Sequence, residues 1–249
     1  MKFLKKINLI LWILAAPALY MSCTQETPHV ATRLTDSSNS GSVQVFSATV
    51  KAARNYVYVD GTSVSGIALA TGGIFPGTAY SFKVSAGSRS FTIKDTLPAT
   101  TQVPLTFTQN IEAGKSYTIF TYDTITSTKQ ATVLNNIVIP TDTSSRLRFA
   151  NFIYNTTPVA NVDVFSFRKG GIGGTNAPPV FANIATNQVT DFIPYSSGIT
   201  DTLYVYATGT TSPLIVKQVV QSLVPTRSYT SVYNGSYRGT KAVSTIASY

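Results

Sequence analysis

Short runs in which apolar and polar residues alternate follow one another from residue 41 to the end of the chain. Residues 43–46, 56–59 and 91–94 are examples, and Gly, Asn, Asp or Ser residues separate the runs. A two-residue alternation places successive side chains on opposite faces of a β-strand. No segment after residue 40 has the sustained 3.6-residue apolar period of a helix. The pattern predicts an all-β fold.

The later part of the chain repeats the earlier part. Residues 114–118 (Gly-Lys-Ser-Tyr-Thr) are answered by residues 226–230 (Thr-Arg-Ser-Tyr-Thr), and residues 55–59 by residues 161–165. The matched segments are separated by roughly the 100 residues of one immunoglobulin-sized sandwich. This repeat predicts two tandem immunoglobulin-like antiparallel β-sandwich modules. One larger sandwich with accidental echoes is the alternative.

The turn residues give the expected limits of the modules. We expect module 1 at residues 41–138, a linker at residues 139–145 and module 2 at residues 146–249. Within module 1, residues 85–88 (Ser-Ala-Gly-Ser) lie between two strand-like runs and predict a hairpin turn.

The N-terminus has the order of features of an export signal. A basic start is followed by an apolar run at residues 7–21, and then by Ser22 and by Cys23, the only cysteine. The apolar run is short for a membrane span. The N-terminal segment as a whole resembles a bacterial lipoprotein signal, which is cleaved before a cysteine that carries diacylglycerol. We therefore expect a signal peptide at residues 1–22 and lipidation of Cys23. An ordinary secretory signal and an uncleaved anchor are the alternatives.

The residues just before Cys23 match the lipobox only loosely, as in Bacteroidetes lipoproteins. Residues 23–40 are polar and contain Pro28 and a Ser/Asn cluster, which predicts a flexible lipidated tether. The expected location is the cell envelope, with the lipid in a membrane, which we expect to be the outer membrane. His29, the only histidine, lies in this tether, where a solvated side chain is the simplest interpretation.

The charge does not indicate nucleic-acid binding. The formal net charge is +9, yet only 12% of residues are charged and, after the basic start, the basic residues form no cluster. A mildly basic surface beside anionic lipid is the simpler interpretation.

Several turn and strand residues carry a family resemblance. Residues 57–61 (Val-Tyr-Val-Asp-Gly), Gly87 and residues 112–118 (Glu-Ala-Gly-Lys-Ser-Tyr-Thr) resemble the bacterial family called domain of unknown function 4397. The resemblance is strongest in residues 41–134. Module 2 departs from it, since Phe165-Ser166 replaces the Asp-Gly turn. The resemblance implies that the chain shares a fold found in exported proteins and lipoproteins. It implies no activity.

The sequence contains no recognisable active site, metal site or cofactor site. The single histidine and the single cysteine are both assigned to the tether, and the acidic residues stand mostly alone in turns. Residues 170–174 are glycine-rich but lack the Gly-Lys-Ser/Thr ending of a phosphate-binding loop, so a flexible hairpin tip is expected. A glycoside hydrolase built from scattered carboxylates such as Asp60 or Asp163 remains an alternative.

Tyrosines are the best candidates for a binding surface. If the aliphatic residues of their strands face the core, Tyr56, Tyr58, Tyr204 and Tyr206 lie on outer faces. Such rings can stack on sugars or anchor a protein partner. The alternative interpretation is that these tyrosines have no binding role, because tyrosine is a preferred residue in β-strands.

Three tripeptides resemble the O-glycosylation acceptor of Bacteroidetes, which is Asp, then Ser or Thr, then an aliphatic residue. They place Thr96, Thr124 and Thr202 as candidate acceptors.

These observations predict a non-enzymatic envelope lipoprotein that binds a glycan or an envelope protein through its sandwich modules. A purely structural spacer or assembly subunit is the alternative.

Overall fold

A computed structural model describes residues 37–77, 80–137 and 139–248. The predicted all-β class is confirmed: the described chain is built from strands, apart from a 3-10 turn at Ser37–Asn39 and one short α-helix. No helix in the described residues is long and apolar enough to cross a bilayer. The signal peptide, Cys23 and His29 lie outside the described residues.

The first half of the structure contains strands β1 to β9. Their bounds are β1 Ser40–Ser47, β2 Asn55–Val59, β3 Thr62–Ser63, β4 Ile74–Phe75, β5 Phe82–Ser85, β6 Gly87–Asp95, β7 Leu105–Ile111, β8 Ser116–Tyr122 and β9 Lys129–Leu134.

The second half contains strands β10 to β18 and the short helix α1. Their bounds are β10 Ser145–Asn151, β11 Val162–Ser166, α1 Phe167–Gly170, β12 Phe181–Ile184, β13 Gln188–Val189, β14 Ile193–Tyr195, β15 Asp201–Ala207, β16 Val216–Val220, β17 Ser228–Gly235 and β18 Lys241–Ala247.

Each half contains two sheets, and the second half repeats the strand order of the first. In the first half, the inner sheet has the order β4-β1-β8-β9, with β5 also paired to β1, and the outer sheet has the order β3-β2-β6-β7. In the second half, the inner sheet has the order β13-β10-β17-β18, with β14 paired to β10, and the outer sheet has the order β12-β11-β15-β16. Neighbouring strands are antiparallel except for β1 with β8 and β10 with β17, which are parallel.

An apolar core lies between the two sheets of each half. In the first half, Val43 and Val45 of the inner sheet pack with Phe91 and Ile93 of the outer sheet. In the second half the corresponding core joins residues of β10 and β17 with residues of β11 and β15. β-branched and aromatic side chains supply both cores, as expected for strands with a buried face.

A third apolar cluster joins the two inner sheets face to face. It contains Phe46 and Phe120 from the first half, with Phe152, Val232 and Ile246 from the second half. The inner sheets are therefore buried on both faces, which explains why seven of the eight residues of β1 are buried. Strand β7 of an outer sheet instead alternates between half-buried and exposed residues. We call the contact between the two inner sheets the inner interface.

The same hydrogen bond, between a tyrosine hydroxyl and the backbone N–H five residues before it, is found at the start of β8 in the first half and of β17 in the second. The hydroxyl of Tyr117 accepts a hydrogen bond from the backbone N–H of Glu112 at 3.1 Å. The hydroxyl of Tyr229 accepts one from the backbone N–H of Val224 at 3.0 Å. The sequence echo between residues 114–118 and 226–230 therefore marks structurally corresponding positions.

Hydrogen bonds across the inner interface are reciprocal. Arg148 of β10 donates to Oδ1 of Asn135, which follows β9, at 2.7 Å. Gln44 of β1 donates to the carbonyl of Ala247 at the end of β18 at 2.8 Å. Gln44 pairs with Thr118 and Arg148 pairs with Thr230, so the two donors occupy corresponding positions in their halves. Each half thus donates a hydrogen bond to a residue at or just after the end of the other half's last strand, as the two sides of a two-fold interface do.

Residues 85–88 do not form the predicted hairpin turn. Strand β5 pairs with β1 in the inner sheet, whereas β6 pairs with β2 in the outer sheet. The chain crosses from one sheet to the other within this segment, and Gly87 adopts a φ of 104°. Local turn residues cannot distinguish a hairpin from a change of sheet, because both need a glycine with positive φ.

Candidate functional site: a cleft at the inner interface

The tyrosines of β2 lie on the face of the first outer sheet that points away from the core. Tyr56 and Tyr58 are both half-buried. The ammonium group of Lys94 lies 4.6 Å from the centroid of the Tyr58 ring. One face of that ring is thus covered by a cation, which leaves less of it for stacking on a ligand.

The tyrosines of β15 do not form an exposed row. Tyr204 is half-buried, and Tyr206 is only 5% exposed. The Tyr206 hydroxyl donates to the carbonyl of Gly173 at 3.2 Å, and its ring meets Phe165 edge-on at 5.7 Å. Alternation did predict the correct face, but the segment after α1 covers Tyr206. The expectation of an accessible ring at Tyr206 is therefore corrected.

The two carboxylates named for a possible hydrolase each stabilise a turn. Asp163 is 7% exposed and accepts hydrogen bonds from the backbone N–H groups of Asn183 and Gly209. Asp60 accepts a hydrogen bond from the backbone N–H of Ser90, which lowers the pKa of Asp60, and a salt bridge to Arg89 acts in the same direction. A catalytic acid needs a raised pKa instead. The lowered pKa of Asp60 does not suit a catalytic acid, and Asp163 is engaged by the backbone of Asn183 and Gly209.

The three candidate acceptor threonines differ in accessibility. Thr96 is exposed in the loop after β6. Thr124 is half-buried and its hydroxyl lies 3.2 Å from that of Thr126. Thr202 is half-buried within β15, where it pairs with Val219. Thr96 is therefore the most accessible of the three.

A cleft of about 470 Å³ opens at one end of the inner interface. The first half contributes residues 122–123 and Lys129, and the second half contributes residues 152–159, Asn161 and residues 186–187. Clefts between packed units that combine aromatic and polar groups are common ligand sites. This cleft is the candidate functional site.

Aromatic rings form one part of the cleft. The rings of Tyr122 and Phe152 lie 5.5 Å apart and come from opposite halves. Phe152 is buried, whereas Tyr122 and Tyr154 are half-buried and thus partly open to a ligand. Tyrosine presents an apolar ring face and a polar hydroxyl at a low cost in side-chain entropy.

An ion pair forms the polar part. The Lys129 ammonium lies 2.8 Å from Oδ2 of Asp123, and their side chains are 57% and 19% exposed. The hydrogen bond from Lys129 to Asp123 and the negative charge of Asp123 raise the pKa of Lys129. Lys129 is therefore charged at neutral pH, and it lines the same cleft as Tyr122 and Tyr154.

The backbone around these side chains is well anchored. Asp123 adopts a φ of 74°, and its carbonyl accepts a hydrogen bond from the N–H of Val50 at 2.8 Å. The N–H of Tyr154 donates to the carbonyl of Gly235, and its carbonyl accepts from the N–H of Tyr237. Anchored segments of this kind hold a binding site in one geometry and so reduce the entropic cost of binding.

The sequence did not point to this cleft. Its members come from separate segments of the two halves, and only the inner interface brings them together. The available signal was weak: residues 151–158 (Asn-Phe-Ile-Tyr-Asn-Thr-Thr-Pro) combine aromatic and amide side chains next to a turn. The structure describes no group of three or more histidine, cysteine, aspartate or glutamate side chains that could hold a metal ion.

The fold and the cleft define a class of all-β proteins in which two sandwich halves pack through their inner sheets. Residues 41–165 match the family described as domain of unknown function (DUF4397). The chain belongs to that family, and the resemblance seen in its turn residues is confirmed. The match covers the whole first half and ends in β11, and the description of the family assigns no activity.

No curated protein matches the chain. A solved structure titled for α-glucan recognition by family 41 carbohydrate-binding modules from streptococcal virulence factors aligns with a TM-score of 0.24 at 9% identity. The alignment covers 80% of this chain and 94% of that chain. A TM-score this low does not establish a shared fold.

Proposed function

We propose that this protein is a non-enzymatic envelope lipoprotein that binds a glycan in the cleft at the inner interface. The envelope location is supported by the basic start, the apolar run and Cys23. The observation that carries the glycan assignment is the placement of two partly open tyrosines, Tyr122 and Tyr154, beside the Asp123–Lys129 ion pair.

This combination suits a saccharide. The C–H face of a sugar ring packs on an aromatic ring, while its hydroxyls need both donors and acceptors nearby. Lys129 supplies donors and Asp123 supplies an acceptor. The volume of about 470 Å³ lies within the range of small-molecule sites.

The test is native affinity electrophoresis of the purified protein in gels that contain starch, laminarin, xylan or pectin. We expect one polysaccharide to retard the wild-type protein, and Tyr154→Ala to abolish most of the retardation. Removal of a central aromatic anchor weakens binding by about 2 kcal/mol or more. Lys129→Ala should also weaken binding.

The matched control is Tyr204→Ala, which removes a half-buried tyrosine outside the cleft. It should leave retardation unchanged. Loss of retardation in Tyr204→Ala with retention in Tyr154→Ala would move the site to the outer sheet and refute the cleft. The absence of retardation by every polymer would refute glycan binding and favour the structural role, which the extensive inner interface also suits.

A further inference from the structure

A second pocket, distinct from the cleft, is built around the buried side chain of Arg148. Arg148 is 2% exposed and lies in β10. Its Nε donates to the hydroxyl of Thr230 at 2.9 Å, and its Nη2 donates to Asn135 at 2.7 Å and to Thr118 at 3.3 Å. All three acceptors are neutral. Buried cations are usually paired with an anion, because a buried charge without a partner is strongly destabilising.

Neighbouring side chains hold the guanidinium group of Arg148 in place and leave only Nη1 without a hydrogen bond among the described residues. The centroid of the Phe192 ring lies 4.5 Å from Cζ of Arg148, so the ring covers one face of the group. Asn135 is held in turn, since its Nδ2 donates to the hydroxyl of Ser116 at 3.0 Å. Within residues 37–77, 80–137 and 139–248, Nη1 makes no hydrogen bond and Arg148 forms no ion pair. Nη1 is therefore the donor that remains for a ligand.

The pocket beside Arg148 has a volume of about 260 Å³ and a net positive lining. Arg146 lines the same pocket, two residues away on the same face of β10. Asp191 is the single acidic residue among the described residues of the lining. Its charge opposes the effect of burial, which lowers the pKa of Arg148 to about 10. Arg148 thus keeps its charge at neutral pH, and the lining of the pocket carries two cations and one carboxylate.

The corresponding pocket of the first half provides an internal comparison. It is lined by residues 245–247 at the end of β18 and by five residues of the first half, which are Gln44, Ile74, Pro76, Gly77 and Tyr80. Gln44 occupies the position that corresponds to Arg148, and none of the described residues that line this pocket is charged. The fold therefore does not require a cation at this position. The two arginines are an addition specific to the second half.

We propose that the Arg146–Arg148 pocket binds an oxyanion group, either a carboxylate or a sulfate. Charge-assisted hydrogen bonds from a guanidinium to an oxyanion are about twice as strong as neutral ones. The anion accepts from Nη1 of Arg148 and from Arg146, and it completes the neutralisation that Asp191 only partly supplies. The shared chemistry is a group with a single negative charge or more and at least two acceptor oxygens.

The test is an NMR titration of the purified protein at constant ionic strength, with the Nε–Hε resonance of Arg148 as the probe. Sodium sulfate, sodium acetate and sodium glucuronate are added in separate arms, and sodium chloride serves as the control. We expect a saturable shift with at least one oxyanion and only a small linear change with chloride. A stronger effect of glucuronate than of acetate would identify an acidic saccharide as the source. A stronger effect of sulfate would identify a sulfate ester or the free ion.

Two variants act in opposite directions. Arg148→Gln reproduces the residue found at the corresponding position of the first half, and it should lower the affinity at least tenfold, measured on the backbone amide of Phe192. Asp191→Asn removes an exposed carboxylate and should raise the affinity about threefold or more. Non-saturable shifts in all arms, or an Asp191→Asn variant with unchanged or weaker affinity, would overturn the proposal. Because Asp191 is exposed, this second variant tests the proposal even if Arg148→Gln does not fold.

Discussion

Phe120 and Phe152 stack across the inner interface with ring centroids 4.6 Å apart and planes 23° from parallel. Phe120 belongs to β8 of the first half, and Phe152 follows β10 of the second half. Both are essentially fully buried. This pair therefore couples the stability of the two halves, and Phe152 also borders the candidate cleft.

Truncation of Phe152 should strongly destabilise the whole protein. Phe152→Ala leaves a cavity at the inner interface and should lower the free energy of unfolding by about 3–5 kcal/mol. Urea unfolding followed by circular dichroism measures the change. Val219→Ala is the control, since Val219 is 46% exposed and its truncation should cost less than about 0.5 kcal/mol. A small effect of Phe152→Ala would show that the inner interface contributes little to stability.

Two buried tyrosines should respond in opposite ways to loss of the hydroxyl. The Tyr195 hydroxyl donates to the buried carboxylate of Asp201, which also accepts from the hydroxyl of Ser166. The Tyr233 hydroxyl has no hydrogen-bond partner among the described residues. Tyr195→Phe should destabilise by about 1.5–3 kcal/mol, whereas Tyr233→Phe should be neutral or stabilising by up to about 1 kcal/mol. Thermal unfolding of the pair measures the difference, and equal destabilisation would contradict this account.

The same tyrosines predict loss of stability at alkaline pH. Burial raises the pKa of Tyr195, with a further contribution from the hydrogen bond to Asp201, and burial also raises the pKa of Tyr233. Below the unfolded pKa of about 10, both states are protonated and the contribution is complete. As the pH rises above about 10, the unfolded state loses protons first, so stability falls until the folded pKa is passed.

Urea unfolding between about pH 8 and about pH 11.5 should therefore show a plateau and then a decline. Arg148 acts in the opposite sense above about pH 10, because burial lowers its pKa. The decline should be shallower in a Tyr195→Phe/Tyr233→Phe double variant. An equally steep decline in that variant would assign the loss to other groups.

Two glycines with positive φ should differ in their tolerance of a side chain. Gly61 has a φ of 81° and open space around it, so Gly61→Ala should cost only the backbone strain of about 1–2 kcal/mol. Gly235 has a φ of 99°, and a Cβ there would overlap the carbonyl oxygen of Thr240. Gly235→Ala should therefore cost clearly more than Gly61→Ala. Denaturant midpoints of the two variants provide the comparison, and similar midpoints would show that the turn after β17 can adjust.

The sequence contained the information for the fold class and for the repeat, because both depend on local patterns. Alternation predicted the strands, and the shared Ser-Tyr-Thr segment correctly related Tyr117 to Tyr229. The weaker echo between residues 55–59 and 161–165 is wrong by one residue. In the structure Val57 pairs with Ile93 and Val164 pairs with Val205, so Val57 corresponds to Val164. The echo instead matches Val57 to Asp163, and a shift of one residue assigns core-facing side chains to the opposite face of the strand.

The candidate sites depended on contacts between distant segments, and these could not be predicted from local patterns. Tyr206 was assigned to the correct face of its strand, but the covering segment near Gly173 changed its accessibility. By sequence alone, Arg148 resembles an ordinary outward-facing strand residue. The sequence of a single strand does not indicate that the face pointing away from its own core will be buried by the other half of the chain.

The reciprocal contacts of Gln44 and Arg148 have a consequence for how this interface can vary. Two separate copies of one sandwich that met in this way would form a symmetric dimer, in which every substitution appears twice and the association weakens on dilution. A single chain holds both copies at a high effective concentration, so the association persists at any dilution. A substitution on one side of the interface is then not repeated on the other. Gln44 is therefore uncharged at its position, while the corresponding position carries the buried Arg148, and no second arginine lies opposite among the described residues.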